Sequence, residues 1–517
     1  MRRERSEPSR RTAALYGLAT AAPLALAGLG GPPAVVGFDP TTRAWATERT
    51  RPPRSASGDF DDVPPLDGEL LTDDASRDAA AEDFGHIVHR RPAAVLRPGS
   101  VDDVVVMVRF CRKHGIPVAP RGQGHATHGQ AQTEGGLVIE TAPLKDIGSV
   151  LGAPPRTKAL GDGTVTVGAG ARWSAVAKST LPQGLTPPVF TDYLELSVGG
   201  TLSVGGLGGQ AHRHGTQTDT VSELQVVTGA GELVRCSATR NADLFDAVRA
   251  GLGQCAIVVG ATLRLVRAPK TVRHFQLPYR DLAVFLEDQR RLTTEGRFDY
   301  VEGLVLPDET GAFRVHVLEA VAYGPPAGPE PDDEALLAGL RFESAGMTAD
   351  TLDYFTFLDR LAPSVADQKE QGLWDDPHPW LNLLLPSSSV EDLASGILDA
   401  LKPEDVGASG VVLLYPLRRE VLHTPMLQMP DDPAPYLLAV LRTSPPDDPA
   451  TVDRLLAANR AAYEKVRDAG GKQYPVGSIP FQRSDWRDHF GRAWPALEAA
   501  RRRYDPAGIL VPGQGIF

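Results

Sequence analysis

Cysteine is scarce in this sequence of 517 residues. Only Cys111, Cys236 and Cys255 occur, so their number is odd, and none of them stands in a CxxC pair. Disulfide frameworks and zinc sites built on thiolates need more cysteines at characteristic spacings. We therefore predict neither, and we expect all three side chains to be buried as small hydrophobic groups.

Several motifs of common enzyme classes are also missing. The sequence contains no GK[ST], GxGxxG, HExxH or GxSxG, which disfavours a P-loop, a Rossmann dinucleotide site, a zinc protease and a serine hydrolase. Two histidine pairs, His125 with His128 and His212 with His214, have spacings that metal ligands use. No third ligand follows at a convincing distance, so we expect no metal site.

An excess of basic residues is absent as well. The formal net charge is -12 and the pI is near 5.5, whereas nucleic-acid surfaces rely on clustered Lys and Arg. The chain is long enough, at 42% hydrophobic residues, to bury large cores. These properties favour an enzyme that acts on a small molecule, as either a monomer or a homodimer, and they disfavour a nucleic-acid partner.

The first 36 residues have the composition of an export signal. An arginine-rich start, with Arg10 next to Arg11, precedes small and apolar residues that reach about Val36. Prolines and glycines interrupt this stretch, which is not typical of a membrane span. We predict a twin-arginine-type signal over residues 1–36, although Ala13 and Ala14 stand where a Phe-Leu pair is usual. An uncleaved disordered or anchoring arm is the alternative.

Composition divides the rest of the sequence. Residues 37–65 are polar and lack apolar periodicity, which predicts a flexible segment. Residues 66–269 contain two glycine-rich loops, "RGQGHATHGQ" and "SVGGTLSVGGLGG", of the kind that lets backbone amides approach a phosphate-bearing cofactor. Residues 270–471 lack glycine clusters and predict a second domain of alternating helices and strands. We expect residues 472–517 to return to the first domain.

The approach to the first glycine loop has clear local signals. "AAVLRP" and "IPVAP" read as strands, and the residues between them predict a helix that Ser100 caps and Gly115 ends. A strand, a helix and a second strand therefore lead into the loop that contains both His125 and His128.

Taken together, these motifs resemble those of the cytokinin dehydrogenases, flavoproteins of the vanillyl-alcohol-oxidase type. The matching stretches run in order from about Leu66 to Phe517 and include "RGQGHATHGQ", "FTDYLELSVGGTLSVGGLGG", "FDYVEG", "HPWLNLLLP", "KQY" and "VPGQGIF". The resemblance implies an α+β fold. A PCMH-type FAD-binding domain would be joined to a substrate domain in which helices flank an antiparallel sheet.

The resemblance also implies FAD as the cofactor. His125 holds the place of the histidine that the family bonds covalently to the 8α-methyl group of FAD. Ala126 replaces the serine of the plant enzymes, which removes a hydroxyl, and we still expect FAD to attach. The other positions matched to cofactor contacts are Gly122, Gln123, Gly124, Gln130, Ser197, Ser203, Leu207, Val258, Tyr474 and Gln514.

Four further positions carry the substrate chemistry that the resemblance implies. Asp192 matches the aspartate that accepts a proton from the substrate amine, and a carboxylate screened from water suits that role. Glu302 matches a glutamate that hydrogen-bonds the purine ring in the plant enzymes. Trp380 and Asn382 belong to "HPWLN", on the substrate side of the cleft. The residues after Tyr474 depart from the family pattern at the substrate entrance.

We therefore expect oxidation of N6-isoprenoid adenines (cytokinins) at the C–N bond of the isoprenoid substituent. Hydride would pass to flavin N5 and a proton to Asp192, and the imine would hydrolyse to adenine and an aldehyde. An exported FAD-linked oxidase of an alcohol, a sugar or a secondary metabolite is the first alternative. A non-catalytic binding protein of the same fold is the second. Oxygen and a quinone both stay open as electron acceptors.

Overall fold

The computed structural model describes residues 33–50, 61–152, 162–324 and 332–517. Residues 1–32, which hold most of the predicted export signal, lie outside the described residues. From Ala34 to Phe517 the described residues form one compact unit of sheets and helices, which confirms the predicted α+β class. The finer division at residues 66, 270 and 472 stays a prediction. Within the described ranges, no helix is long and apolar enough to cross a membrane.

The segment predicted to be flexible contains short strands. β1 (Val35–Asp39) pairs antiparallel with β2 (Ala44–Thr47) and with β3 (Asp61–Asp62). Phe38 of β1 is only 2% exposed, and its ring packs edge-on against Trp45 at 5.1 Å between centroids. The flexibility of residues 37–65 stays a prediction, although two aromatic side chains supply burial that the polar composition concealed. β1 also takes in the last two residues of the predicted signal.

The first glycine loop is carried by a four-stranded sheet. Its spatial order is β4 (Glu69–Leu71), β5 (Ala94–Arg97), β7 (Leu137–Glu140) and β6 (Val118–Arg121), with β4 antiparallel to β5 and the other pairs parallel. The helix α2 (Val101–His114) connects β5 to β6. Ser100 accepts a hydrogen bond from the backbone N–H of Asp103, and Gly115 ends the helix with φ at 61°, as the sequence predicts.

The second glycine loop lies beside an antiparallel sheet. The order of its strands is β12 (Leu233–Ser237), β11 (Val221–Thr228), β13 (Ala256–Arg267), β9 (Gly163–Gly168) and β8 (Leu151–Gly152), and β10 (Leu185–Thr186) also pairs with β13. The predicted hairpin of β11 and β12 is confirmed. The three cysteines are free and buried, as expected.

Helices surround these sheets and the large sheet that follows them in the sequence. Besides α2 they are α1 (Asp74–Ala81), α3 (Trp173–Thr180), α4 (Val198–Leu202), α5 (Ala211–His214), α6 (Ala242–Val248), α7 (Leu282–Glu295), α8 (Asp333–Leu337), α9 (Tyr354–Leu358), α10 (Ala362–Glu370), α11 (Val390–Leu398), α12 (Pro403–Val406), α13 (Pro449–Asp468), α14 (Arg483–Phe490) and α15 (Trp494–Tyr504).

The large sheet has eight antiparallel strands and begins directly after β13. Their order is β17 (Thr348–Asp353), β14 (Thr271–Tyr279), β16 (Phe313–Tyr323), β15 (Tyr300–Pro307), β19 (Val411–Pro416), β20 (Tyr436–Leu441), β18 (Leu381–Leu385) and β21 (Lys472–Gln473). Successive side chains of a strand face opposite sides. Val301 and Leu414 therefore join the hydrophobic cluster of Phe285 in α7, whereas their neighbours Glu302 and Tyr415 line a cavity.

The C-terminal residues connect the large sheet to the first glycine loop. β21 forms one edge of the large sheet, and Leu510 makes a parallel bridge with Val118 of β6. The backbone N–H of Gly513 donates to the carbonyl of Gln130 at 3.0 Å. The C-terminal segment thereby reaches the same cavity as the loop after β6.

Replacing Phe38 by Ala tests whether the N-terminal strands belong to the folded core. A buried Phe→Ala change costs roughly 3–5 kcal/mol, and we expect about 3 kcal/mol of lost unfolding free energy, measured by denaturant titration. Leu151→Ala is the control, since Leu151 is 65% exposed, and it should change stability by less than about 0.5 kcal/mol. A Phe38→Ala protein as stable as the wild type would contradict this assignment.

Candidate active site

The large sheet and the two glycine loops line a cavity of about 740 Å³, within the roughly 300–1,000 Å³ of small-molecule sites. Every residue that the sequence analysis assigned to cofactor or substrate borders it. They are Gly122, Gln123, Gly124, His125, Ala126, Gln130, Asp192, Ser197, Ser203, Leu207, Val258, Glu302, Trp380, Asn382, Tyr474 and Gln514. The fold thus brings together residues nearly 400 positions apart in the sequence.

A buried carboxylate holds the first glycine loop in place. Asp83 accepts hydrogen bonds from the backbone N–H groups of Gly85 at 3.0 Å and Gly129 at 2.7 Å. Burial raises the pKa of Asp83 to about 6, against the lowering effect of these two bonds. Gly124 has φ at 70°, and a Cβ there would collide with the guanidinium of Arg121. Glycine is therefore required for the path of the loop.

His125 lies in a stack of aromatic rings. The ring of Phe84 is sandwiched between His125, at 4.0 Å between centroids, and His378, at 3.8 Å. Burial, followed by the nearby His378 and Lys369, lowers the pKa of His125 to about 3. The imidazole is consequently neutral at pH 7, and one ring nitrogen keeps the lone pair that a nucleophile needs.

The second glycine loop presses against the first. A Cβ on Gly122 would overlap the hydroxyl oxygen of Ser197, at the start of α4. Across the cavity, the backbone N–H of Gly206 donates to the hydroxyl of Tyr474 at 3.1 Å. Burial raises the pKa of that hydroxyl to about 12, so it stays neutral. The two loops leave backbone, rather than side chains, facing the cavity at these points.

The polar side chains of some predicted cofactor residues form hydrogen bonds to other groups of the protein. Gln130 accepts from the backbone N–H of His128 at 2.7 Å and donates to the carbonyl of Gly477 at 3.1 Å. Ser203 donates to the carbonyl of Gly199 at 2.8 Å. These side chains line the cavity while they brace its loops.

Other polar atoms at the cavity are buried and have no partner among the described residues. They are Gln514 Oε1, Trp380 Nε1, Asn382 Nδ2 and Glu302 Oε1. A buried polar atom without a hydrogen bond costs roughly 1–3 kcal/mol, so these atoms favour a polar partner at the cavity. Together with the exposed loop backbone, they fit a large cofactor such as FAD and a polar substrate next to it.

Asp192 and Glu302 meet at the inner face of the large sheet. Oδ1 of Asp192 accepts hydrogen bonds from the hydroxyl of Tyr300 at 2.9 Å and from the guanidinium of Arg360 at 2.8 Å. Burial, followed by repulsion from Asp192, raises the pKa of Glu302 well above its ordinary value. These effects favour the neutral acid form of Glu302, which can donate a hydrogen bond as well as accept one.

Sequence reasoning missed the residues that surround this pair. Arg360 follows α9 and also pairs with Glu319 of β16, at 3.2 Å from Nε to Oε1. Glu319 lies opposite Glu302 in the β-ladder, and His274 Nε2 is 2.9 Å from its carboxylate. One signal was present: Glu319 interrupts the apolar strand "FRVHVLEAVAY" at a position where a charge needs a partner.

Two family models match the protein. The first is described as "FAD binding domain" and covers residues 92–237, and the second, "Cytokinin dehydrogenase 1, FAD and cytokinin binding", covers residues 328–517. The two ranges contain the first glycine loop with His125, and Arg360 with Tyr474, respectively. The protein is thus an FAD-linked oxidoreductase by both its matched domains and its site.

Relatives place it more closely. It is 41% identical over 448 residues to an uncharacterized oxidoreductase, ORF5 in the fasciation locus of Rhodococcoides fascians, a match that covers 87% of this chain and 99% of that protein. It is 36% identical to cytokinin dehydrogenase 4 of Oryza sativa subsp. japonica, over 87% of this chain and 90% of that one. It is 34% identical to cytokinin dehydrogenase 1 of Arabidopsis thaliana, over 87% of this chain and 83% of that one. The protein belongs to the cytokinin dehydrogenase family, which confirms the resemblance seen in the sequence.

Proposed function

We propose that this protein oxidises N6-isoprenoid adenines at the C–N bond of the isoprenoid substituent. The observation that carries the proposal is that Asp192, held by Arg360, and Glu302, whose pKa is raised, line the same cavity as both glycine loops. The relatives named cytokinin dehydrogenase support the same substrate class. A secondary amine that carries a purine needs both a proton acceptor and a hydrogen-bonding group for the ring, and these two carboxyl groups supply them.

The residues that would hold FAD lie in and next to the first and second glycine loops. Backbone groups near Gly122 and Gly206, the side chain of Gln514 and the ring of His125 border the space for it. FAD, when bound, supplies an acceptor at N5 for the hydride from the carbon next to the amine nitrogen. The protein's own part is to orient the substrate and to move its proton.

Asp192 takes the amine proton in this proposal. Tyr300 and Arg360 both occupy Oδ1, while Oδ2 has no hydrogen-bond partner among the described residues. Oδ2 is therefore the atom assigned to the proton. Loss of that proton and of the hydride leaves a C=N bond, and water then hydrolyses the imine to adenine and an aldehyde.

Glu302 orients the purine. As a neutral acid it donates to one ring nitrogen, and its unpartnered Oε1 accepts from an N–H. The apolar side chains of Leu304, Leu413 and Leu441 continue the same face of the sheet along the cavity. They provide a surface for the isoprenoid part of the substrate.

Anaerobic mixing with isopentenyladenine tests the proposed substrate. The flavin absorbance of the wild type should bleach, and Asp192→Asn should slow this reduction by roughly 10²–10⁴-fold, the typical contribution of a general base. Glu195→Gln is the matched control, because Glu195 lies in the same loop and pairs with Arg172 at 2.7 Å; its rate should equal that of the wild type. If an alcohol or a sugar bleaches the flavin and isopentenyladenine does not, the proposed substrate is wrong and the alternative substrate class is supported.

We also propose that FAD is bonded covalently through His125. The neutral, half-buried imidazole in the first glycine loop supports this assignment. Acid-precipitated wild type should stay yellow, and His125→Ala should release its FAD into the supernatant. His128→Ala, three residues further along the same loop, should retain the colour. Colour that stays with precipitated His125→Ala, or that leaves the wild type, would contradict the bond.

Export through a twin-arginine-type signal is the third part of the proposal. It rests on the paired Arg10 and Arg11 and on the apolar stretch that follows. Replacing both residues by Lys should retain a tagged protein in the cytoplasm, as cell fractionation measures, while the same change at Arg2 and Arg3 should leave export intact. A wild-type protein found only in the cytoplasm would refute export.

A further inference from the structure

Behind Asp192 lies a row of partly buried ionisable side chains. The guanidinium of Arg360 contacts Asp192 with one terminal nitrogen and Glu319 with Nε, at 2.8 and 3.2 Å. On the far side of Glu319, His274 Nε2 lies 2.9 Å from its carboxylate. The same guanidinium packs over the ring of Phe357 at 4.7 Å from the centroid. Arg360 is thus fixed from three directions in the link between α9 and α10.

One guanidinium lies between two carboxyl groups in this row. Burial lowers the pKa of Arg360, but Tyr300, Glu319 and Asp192 raise it by more, so the residue stays a cation. Burial raises the pKa of Glu319, and Arg360 and His274 outweigh that effect, so its pKa lies below the ordinary value. Glu319 is therefore ionised at neutral pH. The same guanidinium also contacts the carboxyl group of Asp192.

We propose that Arg360 is a positioning residue that orients Asp192 through Oδ1, so that Oδ2 is left to receive the substrate's proton. Glu319 and His274 anchor the guanidinium from behind. This inference rests on the proposed function of Asp192. The alternative is that Arg360 only compensates the buried charge of Glu319 and has no part in the reaction.

The proposal predicts a change in the pH profile of flavin reduction. An opposite charge within about 4–6 Å favours an ionised carboxylate by roughly 1–3 pKa units. Without the guanidinium, the acid limb of the profile should move to higher pH. The acid limb reports the titration of all the interacting groups together, not of one residue. The other titratable side chains that face Arg360 and Asp192 come from β14, β15, β16 and β19, and they are His274, Tyr300, Glu302, Glu319 and Tyr415.

The first experiment compares Arg360→Gln with the wild type in anaerobic reduction by isopentenyladenine. We expect at least about 100-fold slower reduction and an acid limb that moves up by roughly one pH unit or more. Arg360→Lys keeps the positive charge but lacks the planar guanidinium that can donate two parallel hydrogen bonds. It should recover part of the reduction rate, and the acid limb of its pH profile should lie where it does in the wild type. Arg314→Gln, on the same strand as Glu319 but exposed and paired with Asp399, should match the wild type.

A double variant separates positioning from simple charge compensation. If Arg360 only neutralises Glu319, then Arg360→Gln with Glu319→Gln removes both charges and should restore the wild-type rate. If Arg360 acts on Asp192, the double variant should stay slow and keep the displaced acid limb. Restoration of the rate, or an unchanged profile in Arg360→Gln, would overturn the proposal.

Thermal unfolding provides a readout that does not depend on turnover. Because the pKa of Glu319 is lowered in the folded protein, its stabilising contribution is present above the ordinary glutamate value and is lost as the pH falls through the lowered value. Arg360→Gln should lack this acid-dependent loss, and Arg314→Gln should retain it. If Arg360→Gln and the wild type lose the same stability as the pH falls, Arg360 is not the counter-charge of Glu319. A wild type whose flavin isopentenyladenine does not bleach would defeat the proposed function, while unfolding would still report on the charge row.

Discussion

The ion pairs of Arg360 are the interaction on which the site depends. The inner face of the large sheet carries Glu302 and Glu319 side by side, and the loop before α4 brings Asp192 next to them. Three carboxyl groups in a buried region would repel one another and resist desolvation. The guanidinium makes the arrangement possible by pairing with Asp192 and Glu319, while burial raises the pKa of the third carboxyl group, Glu302.

The same distribution of charge gives the two acidic residues different roles. Asp192 and Glu302 are both carboxylic acids, yet one is engaged by a cation and the other is fully buried with a raised pKa. In the proposed function, environment rather than residue type separates the proton acceptor from the hydrogen-bond donor. The substrate proposed above requires both kinds of group within one cavity.

Close backbone approach is the second constraint, and it explains the glycines. At Gly122 a Cβ would overlap Ser197, and at Gly124 the positive φ and the neighbouring Arg121 exclude any larger residue. Asp83 holds the loop in this path by accepting hydrogen bonds from two backbone N–H groups. The loop can therefore present His125 at a defined place beside Phe84 without bulky side chains of its own.

Much of this was predictable from local pattern. The helix between Ser100 and Gly115, the hairpin of β11 and β12, and the burial of the three cysteines follow from capping, turn and composition rules that act over a few residues. Motif resemblance identified the family and collected residues such as His125, Asp192 and Gln514 that line one cavity. The N-terminal strands escaped prediction because Phe38 and Trp45 are isolated aromatics whose burial depends on α2.

The sequence by itself determined the class of cofactor site, the family and the positions of the two carboxyl groups that we propose act on the substrate, since these rest on contiguous motifs. Only the tertiary structure decided what surrounds them. Arg360, Glu319 and His274 come from separate elements, and their spacing along the sequence has no common signal. They meet because the β-ladder sets Glu319 beside Glu302 and the link after α9 brings Arg360 against Glu319 and Asp192, and protonation depends on such neighbours in space.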